Sequence, residues 1–119
     1  MPEERFDIVL CYGVLYHVND PFTAATNCFQ SANERVIFEG LIFDTGAPIS
    51  IFLKPGEISG DKTNMYSIST GFLDRVAEMN GFVREKSLSS PADPPAPARD
   101  RSAIMYKRST EQEPQFSGY

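Results

Sequence analysis

The sequence is poor in the residues that build metal centres and disulfide frameworks. Its 119 residues include one histidine and two cysteines, Cys11 and Cys28, which are distant in the chain and have no Cys-x-x-Cys spacing. One imidazole and two separated thiols do not make a ligand set, so no metal site is predicted. Each cysteine lies inside an apolar run, which favours buried, reduced thiols over a disulfide.

Long apolar runs and excess positive charge are also missing. No run approaches the roughly 20 apolar residues that span a bilayer, and the polar residues 1–4 do not have signal-peptide character. A cytoplasmic protein with no membrane partner is therefore expected. Lysine and arginine number 11 against 16 acidic residues, which gives a net charge of −5. An acidic chain gains nothing from the release of phosphate counterions, so the chain alone is expected to bind nucleic acid poorly.

The first part of the chain alternates between strand and helix patterns. Residues 6–12 (FDIVLCY) form a nearly continuous apolar run, typical of a strand that is covered on both faces. A helix is predicted over 21–32, with Asp20 as its N-cap and Pro21 at its first position. A second apolar and β-branched run predicts a strand over 36–42. Strand, helix and strand with short links predict a right-handed βαβ unit with parallel strands.

A long segment over 44–68 is rich in glycine and proline and has one short extended piece at 49–53. A connection of this length is typical of a functional loop or lid. A second helix is predicted over 70–80, with Ser69 or Thr70 as its cap.

The last part of the chain predicts two more strands and a tail. The strands cover 82–88 and 102–108, and a Pro/Ala-rich stretch at 89–100 is expected to be a stiff connector outside the sheet. The polar residues 109–119 are expected to form a disordered tail. Residues 1–108 are therefore interpreted as one partial domain.

These patterns predict an α/β fold of about four strands and two helices. Strands 6–12 and 36–42 are expected to be parallel. A strand as apolar as the first suits a central position, because an exposed apolar edge invites aggregation or pairing with another chain. The first strand is therefore expected to require neighbours that the chain does not encode.

Three stretches together resemble the C-terminal half of class I S-adenosylmethionine-dependent methyltransferases, which have a Rossmann-like fold. They are FDIVLCYGVLYHVNDP at 6–21, ERVIFEGLIFD at 34–44 and FLDRVAEMNGFV at 72–83. In that family the first two stretches are the fourth strand with its turn and the fifth strand. The helix and two final strands, the last antiparallel, close a seven-stranded sheet. The resemblance therefore implies that strands 6–12, 36–42 and 82–88 are parallel, with 102–108 antiparallel and inserted between the second and the third. The resemblance covers 3–108 and implies that the first three strands are missing.

The family binds its cofactor mainly through a glycine-rich turn after the first strand and an acidic residue at the end of the second. The sequence contains no GxGxG motif. The chain therefore resembles a fragment: a truncated gene, a late start codon or one half of a split protein. The resemblance implies a methyltransferase (EC 2.1.1.-) that transfers a methyl or modified methyl group to an unknown acceptor. The isolated chain is expected to be inactive and to bind S-adenosylmethionine weakly or not at all.

Within the family, the sequence is most similar to the tRNA wobble-uridine carboxymethyltransferase-like group. The matching segments are 13–17 (GVLYH), 64–69 (NMYSIS) and Arg101. This resemblance implies that Tyr12, Gly13, Tyr16 and Arg101 contact the cofactor, which is S-adenosylmethionine or a carboxylated derivative of it.

The chemistry of individual side chains also favours a site where the first two strands end, since open α/β sheets bind ligands there. Tyr16 offers a phenol and an aromatic face to a carboxylate or sulfonium, or else it closes the core. His17 is suited to general-base catalysis or to ordering its loop. Glu39 and Asn64 are candidates for substrate binding, and Glu39 suits pairing at the rim equally well. Arg101 can clamp a carboxylate, or it is a solvated residue at the start of a strand.

Two alternatives remain open. One is a catalytically inactive remnant or interaction module that pairs through its first strand with a complementing N-terminal half or a second copy. The other is an enzyme of the tRNA carboxymethyltransferase type. The sequence does not identify the acceptor, which is a small molecule or a tRNA.

Overall fold

A computed structural model describes residues 4–58, 60, 62–93 and 96–109. These residues contain six β-strands: β1 (Phe6–Tyr12), β2 (Ala32–Phe43), β3 (Ser50–Phe52), β4 (Tyr66–Ser69), β5 (Phe82–Ser90) and β6 (Arg101–Arg108). They also contain two α-helices, α1 (Pro21–Ser31) and α2 (Thr70–Met79). Short 3-10 turns lie at Leu15–His17 and Pro97–Arg99. The predicted tail, apart from Ser109, lies outside the described residues.

The long strand β2 organises the sheet. It pairs in parallel with β1 on one side and antiparallel with β6, which in turn pairs antiparallel with β5. The predicted insertion of the last strand between the second and third main strands is therefore confirmed. Ile42 and Phe43, the last residues of β2, also pair in parallel with β4, and β4 pairs antiparallel with β3. The architecture is the predicted mixed α/β sheet.

The prediction of about four strands is wrong by two. β3 falls within the extended piece expected at 49–53, but β4 lies in a segment predicted to be loop. Four residues with the sequence YSIS carry a weak strand pattern, and β4 obtains its partners from parts of the chain that are distant in sequence. Such long-range pairing cannot be predicted from a short stretch of sequence.

The connector prediction also needs correction, because β5 continues to Ser90. The Oγ atoms of Ser89 and Ser102 lie 3.0 Å apart across the β5–β6 pair, so hydroxyl pairing extends the ladder into a polar stretch. The first helix ends at Ser31 and β2 begins at Ala32, without the linker that the sequence suggested.

Local capping explains where both helices begin. The Asp20 carboxylate accepts a hydrogen bond from the Thr23 backbone N–H at 3.0 Å, and Pro21 follows as predicted. Ser69, not Thr70, caps α2, since its Oγ accepts from the Phe72 N–H at 3.0 Å. Side-chain acceptors of this kind satisfy backbone donors that have no partner within the helix.

Both helices pack on the same face of the sheet. Phe29 of α1 lies in the centre of that core layer, and its ring centroid is 5.4 Å from Phe38, 5.0 Å from Phe82 and 5.4 Å from Tyr106. Edge-on and tilted aromatic contacts at these distances add to the gain from apolar burial. This core fixes the strands whose ends build the site described below.

The opposite side of β1 forms a bare sheet face, defined by Phe6, Ile8, Leu10 and Tyr12. These four side chains are between 51% and 60% exposed. The continuous apolar pattern predicted cover on both faces, but in the described chain only the Cys11 side packs against the core. Among the described residues β1 pairs only with β2, so it is an edge strand and not a central one.

Candidate functional site

The chain turns sharply where β1 ends. Gly13 has φ 65°, a left-handed conformation that glycine adopts without steric cost, and its N–H donates to the Glu39 carbonyl oxygen at 2.7 Å. This bond holds the turn against the end of β2. The following 3-10 turn buries Leu15 and places Tyr16 and His17 at the carboxyl edge of the sheet.

The ring of Tyr16 packs against the backbone of Gly40. A Cβ atom at position 40 would lie 2.8 Å from Cε1 of Tyr16, so only glycine leaves room for the ring there. Met65 donates its backbone N–H to the Tyr16 carbonyl oxygen at 2.6 Å. Tyr16 is therefore held from both sides, by the end of β2 and by the segment that precedes β4.

Glu39 and Arg101 form a two-pronged ion pair beside this ring. Arg101 donates from Nε to Oε2 at 3.0 Å and from Nη2 to Oε1 at 3.1 Å of the Glu39 carboxylate. Nη2 also lies 3.4 Å from the Tyr16 hydroxyl, and the guanidinium lies over the Tyr16 ring at 5.3 Å. The acceptors at Tyr16 and Glu39 raise the pKa of Arg101 above its ordinary value. Arg101 is thus a fixed cation at neutral pH.

His17 has local partners. Its Nδ1 lies 3.0 Å from the carbonyl oxygen and 3.1 Å from the hydroxyl of Thr63, and its ring centroid is 4.3 Å from that of Tyr16. These contacts tie the turn after β1 to the segment before β4. They support the loop-ordering role, and because both hydrogen-bond contacts use Nδ1, general-base catalysis by His17 stays a prediction.

A pocket of about 310 Å³ opens next to Tyr16 and Arg101. Leu41 and Ile58 form its apolar wall; Asn64, Asp93 and Arg99 add polar groups. Asn64 is 6% exposed, and its Oδ1 has no hydrogen-bond partner among the described residues. Its Nδ2 makes a single long bond of 3.4 Å to the Ile58 carbonyl oxygen. A buried acceptor without a partner is costly in a folded protein, and a bound donor group would remove that cost.

The structure brings most of the predicted site residues together. Gly13, Tyr16, Glu39 and Arg101 form one cluster, and Asn64 lines the adjoining pocket. Tyr12 does not join them, because it lies on the bare sheet face and is 54% exposed. Its assignment as a cofactor contact remains a prediction.

Sequence reasoning missed Gly40, Asp93 and Arg99. Gly40 matters through the close approach of a ring, which a sequence does not display. Asp93 and Arg99 lie in the Pro/Ala-rich stretch that was interpreted as a spacer. Their charge could have identified both residues, because the run from 90 to 99 is otherwise uncharged.

Two classes of site are not found in the described part of the chain. No group of three or more His, Cys, Asp or Glu side chains is arranged to hold a metal ion there. Within the same residues, no helix is both long and apolar enough to cross a membrane.

Several solved structures are similar to the chain, although neither a known family nor a curated protein matches its sequence. Magnesium protoporphyrin IX methyltransferase (ChlM) from Synechocystis PCC 6803 with bound SAH has a TM-score of 0.60 and 18% identity, covering 91% of this chain and 47% of ChlM. The fold is that of a class I methyltransferase. The N-terminal domain of EvdMO1 with SAH bound has a TM-score of 0.54 and 16% identity, covering 89% of this chain and 47% of that one.

TnmH resembles the chain in the same way, with a TM-score of 0.54, 13% identity and coverage of 92% of this chain and 32% of its own. The chain therefore spans about half the length of ChlM and of the EvdMO1 domain, and less of TnmH. Structural likeness at identities this low shows the fold alone and leaves the activity to be argued from the site.

Proposed function

We propose that the chain is the C-terminal part of an S-adenosylmethionine-dependent methyltransferase and supplies one wall of its cofactor and acceptor site. The observation that carries the proposal is the Tyr16–Glu39–Arg101 cluster, which lies where β1 and β2 end. Ligands of open α/β sheets bind at that edge. The SAM- or SAH-bound neighbours with this fold support the choice of cofactor.

The side chains of the cluster fit such a cofactor. The ring of Tyr16 suits a sulfonium, and an arginine suits a carboxylate. Arg101 uses Nε and Nη2 on Glu39, while its Nη1 makes no hydrogen bond to the described residues. Gly13 leaves the turn without a side chain, so a ligand can approach the backbone there.

S-adenosylmethionine, when bound, supplies an electrophilic methyl group. The residues of this chain contribute alignment and exclusion of water, which matter more for methyl transfer than acid–base catalysis. Glu39 holds Arg101 in place, and Tyr16 is fixed between Gly40 and Met65. This arrangement supplies a rigid wall and requires no catalytic triad.

A titration of the isotope-labelled chain with SAH, followed by NMR, tests the proposal. Weak, saturable shifts are expected at the Gly13 amide and at the Arg101 Nε–H, because the chain spans 47% of the length of ChlM. Arg101→Gln should abolish the shift at the Gly13 amide, whereas the same change at Arg75, an exposed residue of α2, should not. A Gly13 shift that Arg101→Gln leaves unchanged would contradict the proposal, and micromolar binding would contradict the expected weakness.

The bare sheet face favours a second candidate function, an interaction module. Four apolar side chains more than half exposed on an edge strand form a surface on which a complementing half or a second copy can pair. Light scattering over a concentration series checks for self-association. Leu10→Lys should reduce it, while Leu88→Lys at the far edge strand β5 should not; equal effects would exclude pairing through β1.

The likeness to tRNA carboxymethyltransferases rests on the sequence segments 13–17 and 64–69 and on Arg101. We retain a tRNA acceptor as a finer proposal for the whole protein only. A net charge of −5 disfavours contact between this chain alone and tRNA. A gel-shift titration with tRNA is expected to show no complex with the isolated chain.

A further inference from the structure

The pocket beside Tyr16 contains side-chain polar groups that the described residues do not pair. Arg99 and Asp93 are exposed at its rim, and neither side chain makes a hydrogen bond or ion pair with the described residues. The third such group is Oδ1 of the buried Asn64. The pocket thus offers the Arg99 cation, the Asp93 anion and one neutral acceptor, in addition to Arg101, which is paired with Glu39.

The pocket is held in shape by contacts of its own. Asp100 accepts a hydrogen bond from the Ala92 N–H at 2.7 Å, which keeps the two ends of the 92–100 segment together. Ile58 and Leu41 belong to one buried cluster, to which Tyr16 adds its ring. The unpaired groups are therefore presented by connected walls and not by independent loops.

We propose that this pocket binds a small zwitterion, a molecule with a carboxylate or similar anion and a protonated amine. The anion faces Arg99, and the amine donates to Asn64 Oδ1 and faces Asp93. Complementary charges of this kind select a ligand that carries both signs over a ligand with one. Its place beside the cofactor wall rests on the proposed methyltransferase function, whereas its binding does not.

The volume and the lining of the pocket narrow the class of ligand further. A volume of about 310 Å³ lies at the lower end of ligand pockets, which suits a single amino-acid-sized molecule and not a folded RNA. Tyr16, Leu41 and Ile58 provide apolar surface for a hydrocarbon or aromatic body. The free α-amino acid is one source of this chemistry, and the methionyl end of the cofactor is another.

L-phenylalanine is the probe, compared with hydrocinnamate, which lacks the amine, and phenethylamine, which lacks the carboxylate. Titrations of the isotope-labelled chain are followed at the Asn64 side-chain amide and the Arg99 Nε–H. L-phenylalanine is expected to shift both signals saturably and to bind several-fold more tightly than either analogue. Equal binding of the three compounds, or no saturable binding of L-phenylalanine, would overturn the proposal.

Charge-neutral variants assign each group of the probe. Arg99→Gln should weaken the binding of L-phenylalanine and of hydrocinnamate by about 3- to 10-fold and leave the binding of phenethylamine unchanged. This effect lies between that of an exposed ion pair and that of a buried charged hydrogen bond. Asp93→Asn should weaken the binding of L-phenylalanine and of phenethylamine and leave that of hydrocinnamate unchanged. Arg75→Gln and Glu78→Gln, exposed on α2, are the matched controls. Loss of binding without this selectivity would refute the assignment.

Asn64→Leu separates a ligand role from a structural one. Removal of the unpaired buried amide should raise the melting temperature while it lowers the affinity for L-phenylalanine. A lower melting temperature with unchanged affinity would refute the role of Asn64.

Titration with SAH distinguishes the two sources and the two proposals. If L-phenylalanine still binds to the SAH-saturated chain, the pocket takes a separate small molecule. Competition between L-phenylalanine and SAH assigns the pocket to the methionyl end of the cofactor. If L-phenylalanine binds but SAH does not, the proposed function fails and the zwitterion site remains. If SAH alone binds, only the zwitterion proposal fails.

Discussion

At the scale of single residues, the site depends on the missing side chain of Gly40. A Cβ there would lie 2.8 Å and 2.9 Å from two ring carbons of Tyr16, so the ring would have to move away from β2. Gly40→Ala is expected to destabilise the fold by about 1–3 kcal/mol through overpacking and to shift the Arg101 Nε–H signal.

Gly46→Ala is the matched control for this variant, since a Cβ at position 46 meets no atom within 4 Å. Thermal melts and NMR spectra of the two variants give the comparison. Equal stability of both would show that Tyr16 is not packed on Gly40 in solution.

Tyr16→Phe separates the two roles predicted for that tyrosine. Its hydroxyl lies 3.4 Å from Arg101 Nη2, a long bond, so stability should change little while the ring still packs. If the hydroxyl holds a cofactor carboxylate, affinity in a restored full-length protein should fall roughly 10- to 150-fold, the effect of a charge-assisted bond of about 1.5–3 kcal/mol. Calorimetry measures the affinity and a melting curve measures the stability, and together they distinguish the two roles of Tyr16. A large loss of stability with unchanged affinity would assign Tyr16 to the core.

The candidate site was predictable in part. Tyr16 and Arg101 were selected from the family resemblance and Glu39 from its place near the end of a strand, and the structure places the three in contact. Glu39 and Arg101 are 62 residues apart, so their pairing follows from the insertion of β6 beside β2 and not from any local pattern.

At the scale of elements, Ser69 joins α2 to the segment between β2 and β3. Its Oγ accepts from Phe72 N–H at 3.0 Å and Ile49 N–H at 2.9 Å, and donates to the Ala47 carbonyl oxygen at 2.6 Å. Ser69→Ala should cost about 1–3 kcal/mol, more than loss of a simple cap, because buried partners lose their bonds.

Ser31→Ala is the control for this cap, since the exposed Ser31 hydroxyl bonds only to Asn27 among the described residues. Urea denaturation of both variants measures the difference. Similar midpoints would show that Ser69 does not anchor the segment.

The cap of α1 predicts a dependence on pH. Hydrogen bonds from the Thr23 hydroxyl and then its backbone N–H hold the pKa of Asp20 below its ordinary value of 3.8. Folding thus favours the ionised form, so this stabilisation is present above that value and is lost as the pH falls through the lower, folded-state pKa. The melting temperatures of the wild type and Asp20→Asn should converge between neutral pH and about pH 3. A constant difference would refute the linkage.

At the scale of the whole molecule, the helices cover one side of the sheet and leave the other open at β1. The core lies between α1, α2 and the strands, and the bare sheet face has no cover from the described chain. The parallel pairing of β1 and β2 was predictable because short links join both strands to α1, whereas the place of β6 beside β2 was predicted from the family resemblance. The pairing of β3 and β4 was not, since β4 depends on the last two residues of β2.

The position of β6 has a consequence for synthesis on the ribosome. β1 and β2 are near in sequence and can pair early, whereas β5 has no sheet partner until β6 is available between it and β2. At about 5–20 residues per second, the interval between emergence of β2 and of β6 is on the order of 3–13 seconds. During that time the second edge of β2 is open to other nascent chains and to chaperones. The interior of the sheet therefore closes last, and the nascent chain is more vulnerable to misassembly than the finished one.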